Sequence, residues 1–171
     1  MKNINKTIYK ILILIAAPLI IGTLLSSAMM SGEGGDDMPK TDAEDLWKYI
    51  TETNNYKDWE QWPDKTGMYE GESPHGDYLK LYVNKKAFDA LVYVTPTLPD
   101  QSIIVKENYN MEKKLVAVTP MYKVKGYNRE AGDWFWAKYG ADGKTMKSGK
   151  VAGCIDCHSK KKDNDYLFSK D

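Results

Sequence analysis

The feature that most constrains this chain is a five-residue motif near its C-terminus, Cys154-Ile155-Asp156-Cys157-His158. Its two cysteines are three positions apart, and the 171-residue sequence contains no others. Cys-x-x-Cys-His is the attachment signature of a c-type haem, because two thiols at this spacing can add to the two vinyl groups of one porphyrin. His158 would then supply the proximal nitrogen ligand of the iron. The motif therefore predicts one covalently bound haem c held by Cys154, Cys157 and His158.

Three other interpretations of the motif stay open at the level of sequence. A thioredoxin-like redox pair would need a βαβ context and would leave His158 unexplained. A zinc site usually needs four ligands, and the only other histidine of the chain is His75. A plain disulfide between the two cysteines is the strongest of the three alternatives, because it is compatible with export.

Residues 1–28 have the three-part pattern of a secretory signal peptide. Three lysines and no acid occupy the first ten residues, an apolar run extends from Ile11 to Leu25, and small residues follow up to Ala28. An uncleaved anchor is the alternative, since a membrane span needs about 20 apolar residues. Both outcomes place the rest of the chain in the periplasm or another extracytoplasmic compartment, and the chain would contact a membrane only if the segment is retained.

The remaining composition predicts a single domain that does not bind nucleic acid. Removal of residues 1–28 would remove three lysines and no acid, which leaves 21 basic and 24 acidic side chains. Nucleic-acid binders carry a clustered basic surplus instead. The Gly- and Asp-rich segment 29–40 is typical of a flexible linker. Residues 41–171 have the size of one domain.

Hydrophobic patterning predicts an α+β fold: an antiparallel β-sheet of about four to five strands with short flanking helices, followed by the C-terminal haem-attachment segment. A polar link at 111–113 and the Asp142-Gly143 pair predict two hairpins. The predicted strands are 78–83, 102–109, 114–125 and 133–139.

Local signals add detail to these elements. Helices are predicted at 42–53 and 86–92. Thr41 is the expected N-cap of the first helix, and Glu44 completes a capping box. Pro120 lacks the amide donor that a central strand needs, so it predicts an edge or a bulge in the third strand.

Lys106 lies in the second predicted strand, on the same face as Ile104 and Asn108. A lysine among apolar neighbours could point into a haem pocket, where burial would favour its neutral, nucleophilic amine. The alternative is an ordinary exposed lysine on a strand.

The second axial position of the iron decides the function, since electron carriers fill it and ligand-binding haem proteins leave it open. His75 is one candidate for the distal side, as a base or as a sixth ligand in a rigid Pro-His-Gly turn. A turn histidine bonded to backbone is the alternative. Several methionines are further candidates, and no spacing marks any of them: Met68, Met111, Met121 and Met146.

Six motifs follow one another along the chain in a specific order. They are 72–76 (ESPHG), 82–84 (YVN), 102–109 (SIIVKENY), 121–127 (MYKVKGY), 132–136 (GDWFW) and 154–158 (CIDCH). This ordered set resembles the cytochrome P-460 family of exported mono-haem proteins. The resemblance covers roughly residues 47–168, which is nearly the whole mature chain.

The resemblance implies an antiparallel fold that forms a homodimer, a five-coordinate haem and an open distal side for small nitrogen ligands. One branch oxidises hydroxylamine and carries a lysine linked to the haem edge, and by motif position that lysine matches Lys106. A sister branch, cytochrome c-prime-beta, lacks the link and binds nitric oxide without turnover. Oxidising members also use a distal carboxylate; Glu130 and Asp133 lie in the right region, with turn or surface roles as the alternative. The Ser-Pro-His-Gly turn at His75 departs from the ammonia-oxidiser pattern.

Three functions are consistent with these observations, in this order. The first is an oxidoreductase that oxidises hydroxylamine and passes electrons to an external partner. The second is a nitric-oxide-binding protein without turnover. The third is a six-coordinate electron-transfer cytochrome, in which a methionine or His75 occupies the distal position.

Overall fold

One antiparallel β-sheet runs through the domain in the computed structural model, which describes residues 38–170. The strand order is β1-β3-β4-β5-β6-β7, and β2 also pairs with β3. The seven strands are β1 (Glu60–Gln61), β2 (Tyr69–Glu70), β3 (Tyr78–Val83), β4 (Ile103–Tyr109), β5 (Leu115–Lys123), β6 (Trp134–Gly140) and β7 (Thr145–Gly149). The predicted α+β class is confirmed. The sheet is larger than predicted because β1 and β2 have two residues each, too few to show an alternating pattern.

Short helices flank this sheet. The α-helices are α1 (Ala43–Lys48), which continues as a π-helical turn (Tyr49–Thr53), α2 (Lys85–Val92) and α3 (Ala152–His158). The 3-10 turns are Tyr56–Asp58, Arg129–Ala131, Ser159–Asn164 and Phe168–Lys170. Within residues 38–170, no helix has the length and apolar character needed to cross a membrane. The predicted signal peptide, and the linker up to residue 37, lie outside the described residues.

The first helix begins one residue later than predicted. Asp42, and not Thr41, is the N-cap, with extended backbone angles and a carboxylate that accepts from the amides of Glu44 (2.8 Å) and Asp45 (3.1 Å). The prediction of Thr41 as the cap was wrong because two neighbouring residues could both cap the helix. The aspartate also carries a negative charge, which the helix N-terminus favours.

Pro120 corrects a second prediction. Its strand, β5, lies between β4 and β6 and is therefore not an edge. The residue pairs between β5 and β6 stop at Val118 and resume at Met121 in the same register, so the ladder has no bulge at Pro120. The missing amide of Pro120 thus coincides with a gap in that ladder, which explains how a central strand tolerates proline.

Alternation along the central strands divides the buried side chains between two cores. On one face, Tyr82, Val105 and Phe135 pack against the first helix. On the other face, Leu81 and Trp136 pack with the second helix and the C-terminal segment. Burial of each such side chain contributes about 1.5–3 kcal/mol to stability. The second face also contains the candidate site.

Candidate functional site

The three residues of the C-terminal motif share one short helix. Cys154, Cys157 and His158 lie on α3, and all three line a cavity of about 320 Å³ on the second face of the sheet. The spacing of three residues puts both thiols on one side of the helix, and both thiols are free. The rest of the cavity wall is largely apolar and includes Trp62, Leu81, Ile104, Met121 and Trp136.

His158 is buried, and its orientation is set by one hydrogen bond. Its Nδ1 lies 2.7 Å from the main-chain carbonyl oxygen of Tyr166, so Nδ1–H is the donor and Nε2 keeps the lone pair. The ring packs against Trp136 and Phe168, with centroid distances of 4.7 and 5.3 Å. Burial lowers the pKa of His158. The imidazole is therefore neutral at neutral pH, which is the form that ligates a metal.

The carbonyl group that orients His158 belongs to a segment anchored by Asp165. The buried Asp165 carboxylate forms an ion pair with Lys123 of β5 and accepts from the amide of Leu98 (2.7 Å). Its main-chain oxygen accepts from the Trp134 indole (3.0 Å). Asp165 and Tyr166 both have positive φ angles, 55° and 65°. Three anchors on one residue hold this strained turn, and with it the Tyr166 carbonyl, in place.

Lys106 extends from β4 into the same cavity. Burial, together with the nearby charge of Lys65, lowers the pKa of Lys106 to about 8. An amine with this pKa is neutral in an appreciable fraction of molecules near neutral pH, so it can act as a nucleophile. Lys106 is thus an inward-facing lysine and not an exposed one.

His75 lines the cavity from the turn between β2 and β3. Its Nδ1 lies 3.0 Å from the side-chain oxygen of Asn108, a buried residue of β4. The Asn108 amide nitrogen donates to the carbonyl oxygens of Lys106 and Ala117 and to the hydroxyl of Thr119. The Asn108 oxygen is therefore the acceptor, and His75 donates from Nδ1. The partner is a side chain, and not the backbone group considered from the sequence.

Burial is the main cause of a lowered pKa at His75, and the positive charge of Lys106 adds to it. The resulting pKa is about 4, so His75 is neutral at physiological pH. With Nδ1–H directed to Asn108, the unprotonated Nε2 can accept a proton or bind a metal.

The other predicted distal groups lie elsewhere. Met121 lines the cavity, whereas Met111 and Met146 are exposed and Met68 does not contact the cavity. The Asp133 carboxylate accepts from the amides of a neighbouring turn. Neither Glu130 nor Asp133 reaches the cavity, and the described residues that line it include no acid.

The residues of the cavity fit a haem. The Trp136 indole nitrogen is buried and has no hydrogen-bond partner among residues 38–170, so a cofactor acceptor could satisfy it. Among the same residues, no group of three or more His, Cys, Asp or Glu side chains could hold a metal ion by itself, which argues against the zinc interpretation. Free thiols and a neutral imidazole beside an apolar cavity are the groups that haem attachment needs.

An α+β domain whose Cys-x-x-Cys-His helix faces an apolar cavity belongs to the class of haem-binding cytochromes. A family model described as Cytochrome P460 matches residues 53–169. The chain belongs to the cytochrome P460 family, and it is therefore a cytochrome with a haem cofactor. The resemblance seen in the ordered motifs is confirmed. A comparison with curated proteins found no match.

The sequence missed two residues of this site. Asn108, which orients His75, was noted only as a neighbour of Lys106 on the strand. Asp165, which anchors the carbonyl partner of His158, lies in a polar C-terminal stretch without a local pattern. Both act through contacts distant in sequence, and no spacing signal marks such contacts.

Proposed function

We propose that this chain is an exported, mono-haem c-type cytochrome that binds or oxidises small nitrogen compounds, hydroxylamine and nitric oxide among them. The observation that carries the proposal is that one cavity brings together the Cys-x-x-Cys-His helix and two basic side chains with lowered pKa values, Lys106 and His75.

Each residue of the motif has a separate role in holding the haem. The thiols of Cys154 and Cys157 would add across the two vinyl groups of the porphyrin to hold it by thioether bonds, and His158 would ligate the iron through Nε2. The hydrogen bond from Nδ1–H to the Tyr166 carbonyl increases the basicity of this ligand. When bound, haem supplies an iron that ligates small nitrogen compounds and exchanges electrons one at a time.

The two bases of the cavity handle protons and the cofactor edge. His75 would accept a proton from hydroxylamine at Nε2, since its Nδ1 donates to Asn108. By motif position Lys106 matches the lysine that is linked to the haem edge in the hydroxylamine-oxidising branch of the family, and its neutral amine would be the group that carries such a link. Electrons leave to an external partner. The protein acts in the periplasm or an equivalent compartment, as a homodimer.

A test of the oxidase function compares two lysine variants. Lys106→Ala should abolish hydroxylamine turnover with an artificial electron acceptor, while the haem stays attached through Cys154 and Cys157. Lys80→Ala is the control. Lys80 lies opposite Glu107 in the register of β3 and β4, and therefore on the face of the sheet away from the cavity. Turnover at the parental rate in Lys106→Ala would remove Lys106 from the mechanism.

The haem–lysine bond has its own readout. A denatured haemochrome spectrum in alkaline pyridine should be anomalous for the parent protein and ordinary for Lys106→Ala. An ordinary spectrum from both proteins would show that Lys106 is not bonded to the ring.

A second candidate function is nitric oxide binding without turnover. It is favoured by one observation: none of the described residues that line the cavity is an acid, so the distal carboxylate of the oxidising members has no counterpart there. Tight nitric oxide binding, together with the absence of hydroxylamine turnover in the parent protein, would select this function.

A further inference from the structure

His75 and His158 both line the cavity, and their rings lie close together. Their ring centroids are 6.3 Å apart, with an interplanar angle of 86°. A histidine nitrogen bonds a first-row transition metal at about 2 Å, so two imidazoles on opposite sides of one metal have ring centres roughly 6 Å apart. The two rings are therefore at the separation of an axial ligand pair.

The hydrogen bonds of the two histidines support the same conclusion independently. Each ring donates from Nδ1 to an oxygen acceptor, the Tyr166 carbonyl for His158 and the Asn108 side chain for His75. Metal-bound histidines almost always donate their second ring N–H in this way, because the bond fixes the tautomer and the ring orientation. Among the described residues, no hydrogen bond is made to either Nε2, so both lone pairs are available.

We propose that His75 is the second axial ligand of the haem iron in the resting protein, opposite His158, and that a small molecule binds only after His75 leaves the iron. In this exchange the bond from His75 Nε2 to the iron breaks and a bond from the incoming molecule forms, with no transfer of electrons. The proposal rests on the proposed function for the ligation by His158. It replaces the expectation of a permanently five-coordinate iron.

The position of His75 in the chain allows such an exchange. The residue lies in a turn whose preceding residues Glu72, Ser73 and Pro74 are exposed, and not within a strand or helix. The turn is held to β4 by Asn108, which also accepts from the amide of Gly76 (3.4 Å). A side chain on a surface turn can move away from the iron without disturbing the sheet.

Absorption spectra and ligand-binding kinetics test the proposal. The parent haem protein should be low-spin in both oxidation states, and His75→Ala should be high-spin. The observed rate constant of cyanide binding to the parent ferric protein should reach a plateau as the cyanide concentration rises, because release of His75 limits the rate. The rate in His75→Ala should rise linearly and exceed the parental plateau at least tenfold. Met121→Leu is the matched control, because Met121 is the one of the four candidate methionine ligands that lines the cavity. The spectrum of Met121→Leu should stay low-spin.

The outcomes separate this proposal from the function on which it rests. A high-spin parent protein whose rate constant of cyanide binding rises linearly with cyanide concentration would overturn the role of His75 and leave the proposed function intact. A low-spin spectrum that persists in His75→Ala would assign the position to another ligand. Protein that acquires no haem in a competent host would contradict the proposed function itself. If His75→Ala fails to mature, the spectrum of the parent protein and that of Asn108→Ala decide, since loss of the acceptor should increase the high-spin fraction.

Discussion

Lys106 and Glu107 are sequence neighbours in β4 with different surroundings. Lys106 lines the cavity on one face of the sheet. Glu107 is buried on the other face, where its carboxylate accepts from the hydroxyls of Tyr56 (2.8 Å) and Tyr109 (2.6 Å). The strand period of two residues therefore places one reactive amine at the site and one structural carboxylate behind it.

The first prediction concerns the cost of burying Lys106. Its pKa is about 8 in the folded protein and 10.5 ordinarily, so the unfolded chain binds more protons between these two pH values. The free energy of unfolding of the parent should therefore rise across this window. Lys106→Met should be more stable near pH 7, on the order of 2–3 kcal/mol, with the difference shrinking above pH 8.

Denaturant unfolding at several pH values measures this difference. Both proteins should be produced without haem, because an amine bonded to the ring does not titrate. A constant difference from pH 7 to pH 10 would show that Lys106 keeps its ordinary pKa.

Among the elements, the C-terminal segment is the one that links the core to the site. The pair of Lys123 and Asp165 joins β5 to the turn that carries the Tyr166 carbonyl. The pair is almost fully buried, with side-chain exposures of 12 and 3%. The position of His158, the proposed proximal ligand, thus depends on a strand that is distant from the motif in the sequence.

A second prediction follows for this segment. Asp165→Asn leaves Lys123 buried without its counter-charge, which should cost about 3–5 kcal/mol of stability. The Tyr166 carbonyl should shift as well and weaken the hydrogen bond from His158, so the ligand becomes less basic and the reduction potential of the haem rises.

Thermal unfolding and a redox titration check both effects. Lys85→Met is the control, because its ion pair with Asp89 is exposed and should change neither measurement. A lower melting temperature with an unchanged potential would limit Asp165 to a structural role.

At the scale of the whole molecule, the sheet separates two functions of the core. The first face buries aromatic and aliphatic side chains against α1. The second face combines similar packing with the cavity and its reactive groups. The site and the first core thus lie on opposite faces of one sheet.

A third prediction concerns the whole chain and follows from the proposed export. Its intact mass should equal residues 29–171 plus one haem, because export should remove the signal peptide before haem attachment. Mass spectrometry of the purified haem protein measures this mass. The mass of residues 1–171 plus haem would identify a retained anchor, and a mass without haem would contradict covalent attachment.

The sequence alone determined the features that depend on neighbouring residues. Strand alternation placed four strands and two hairpins, the Cys-x-x-Cys-His spacing indicated the cofactor, and the ordered motifs indicated the family. Each of these signals is a pattern of residues along the chain, so it can be identified without knowledge of the packing. The same logic failed at Thr41 and Pro120, where local chemistry allowed two outcomes and the tertiary context selected one.

Only the tertiary structure decided how the site is assembled. His75 meets Asn108 across 33 residues, and Lys123 meets Asp165 across 42. Strand register and the packing of the C-terminal segment bring these pairs together, and local periodicity predicts neither of them. The chain could therefore be recognised as a cytochrome from its sequence, whereas the presence of His75 and His158 in one cavity could be seen only in the fold.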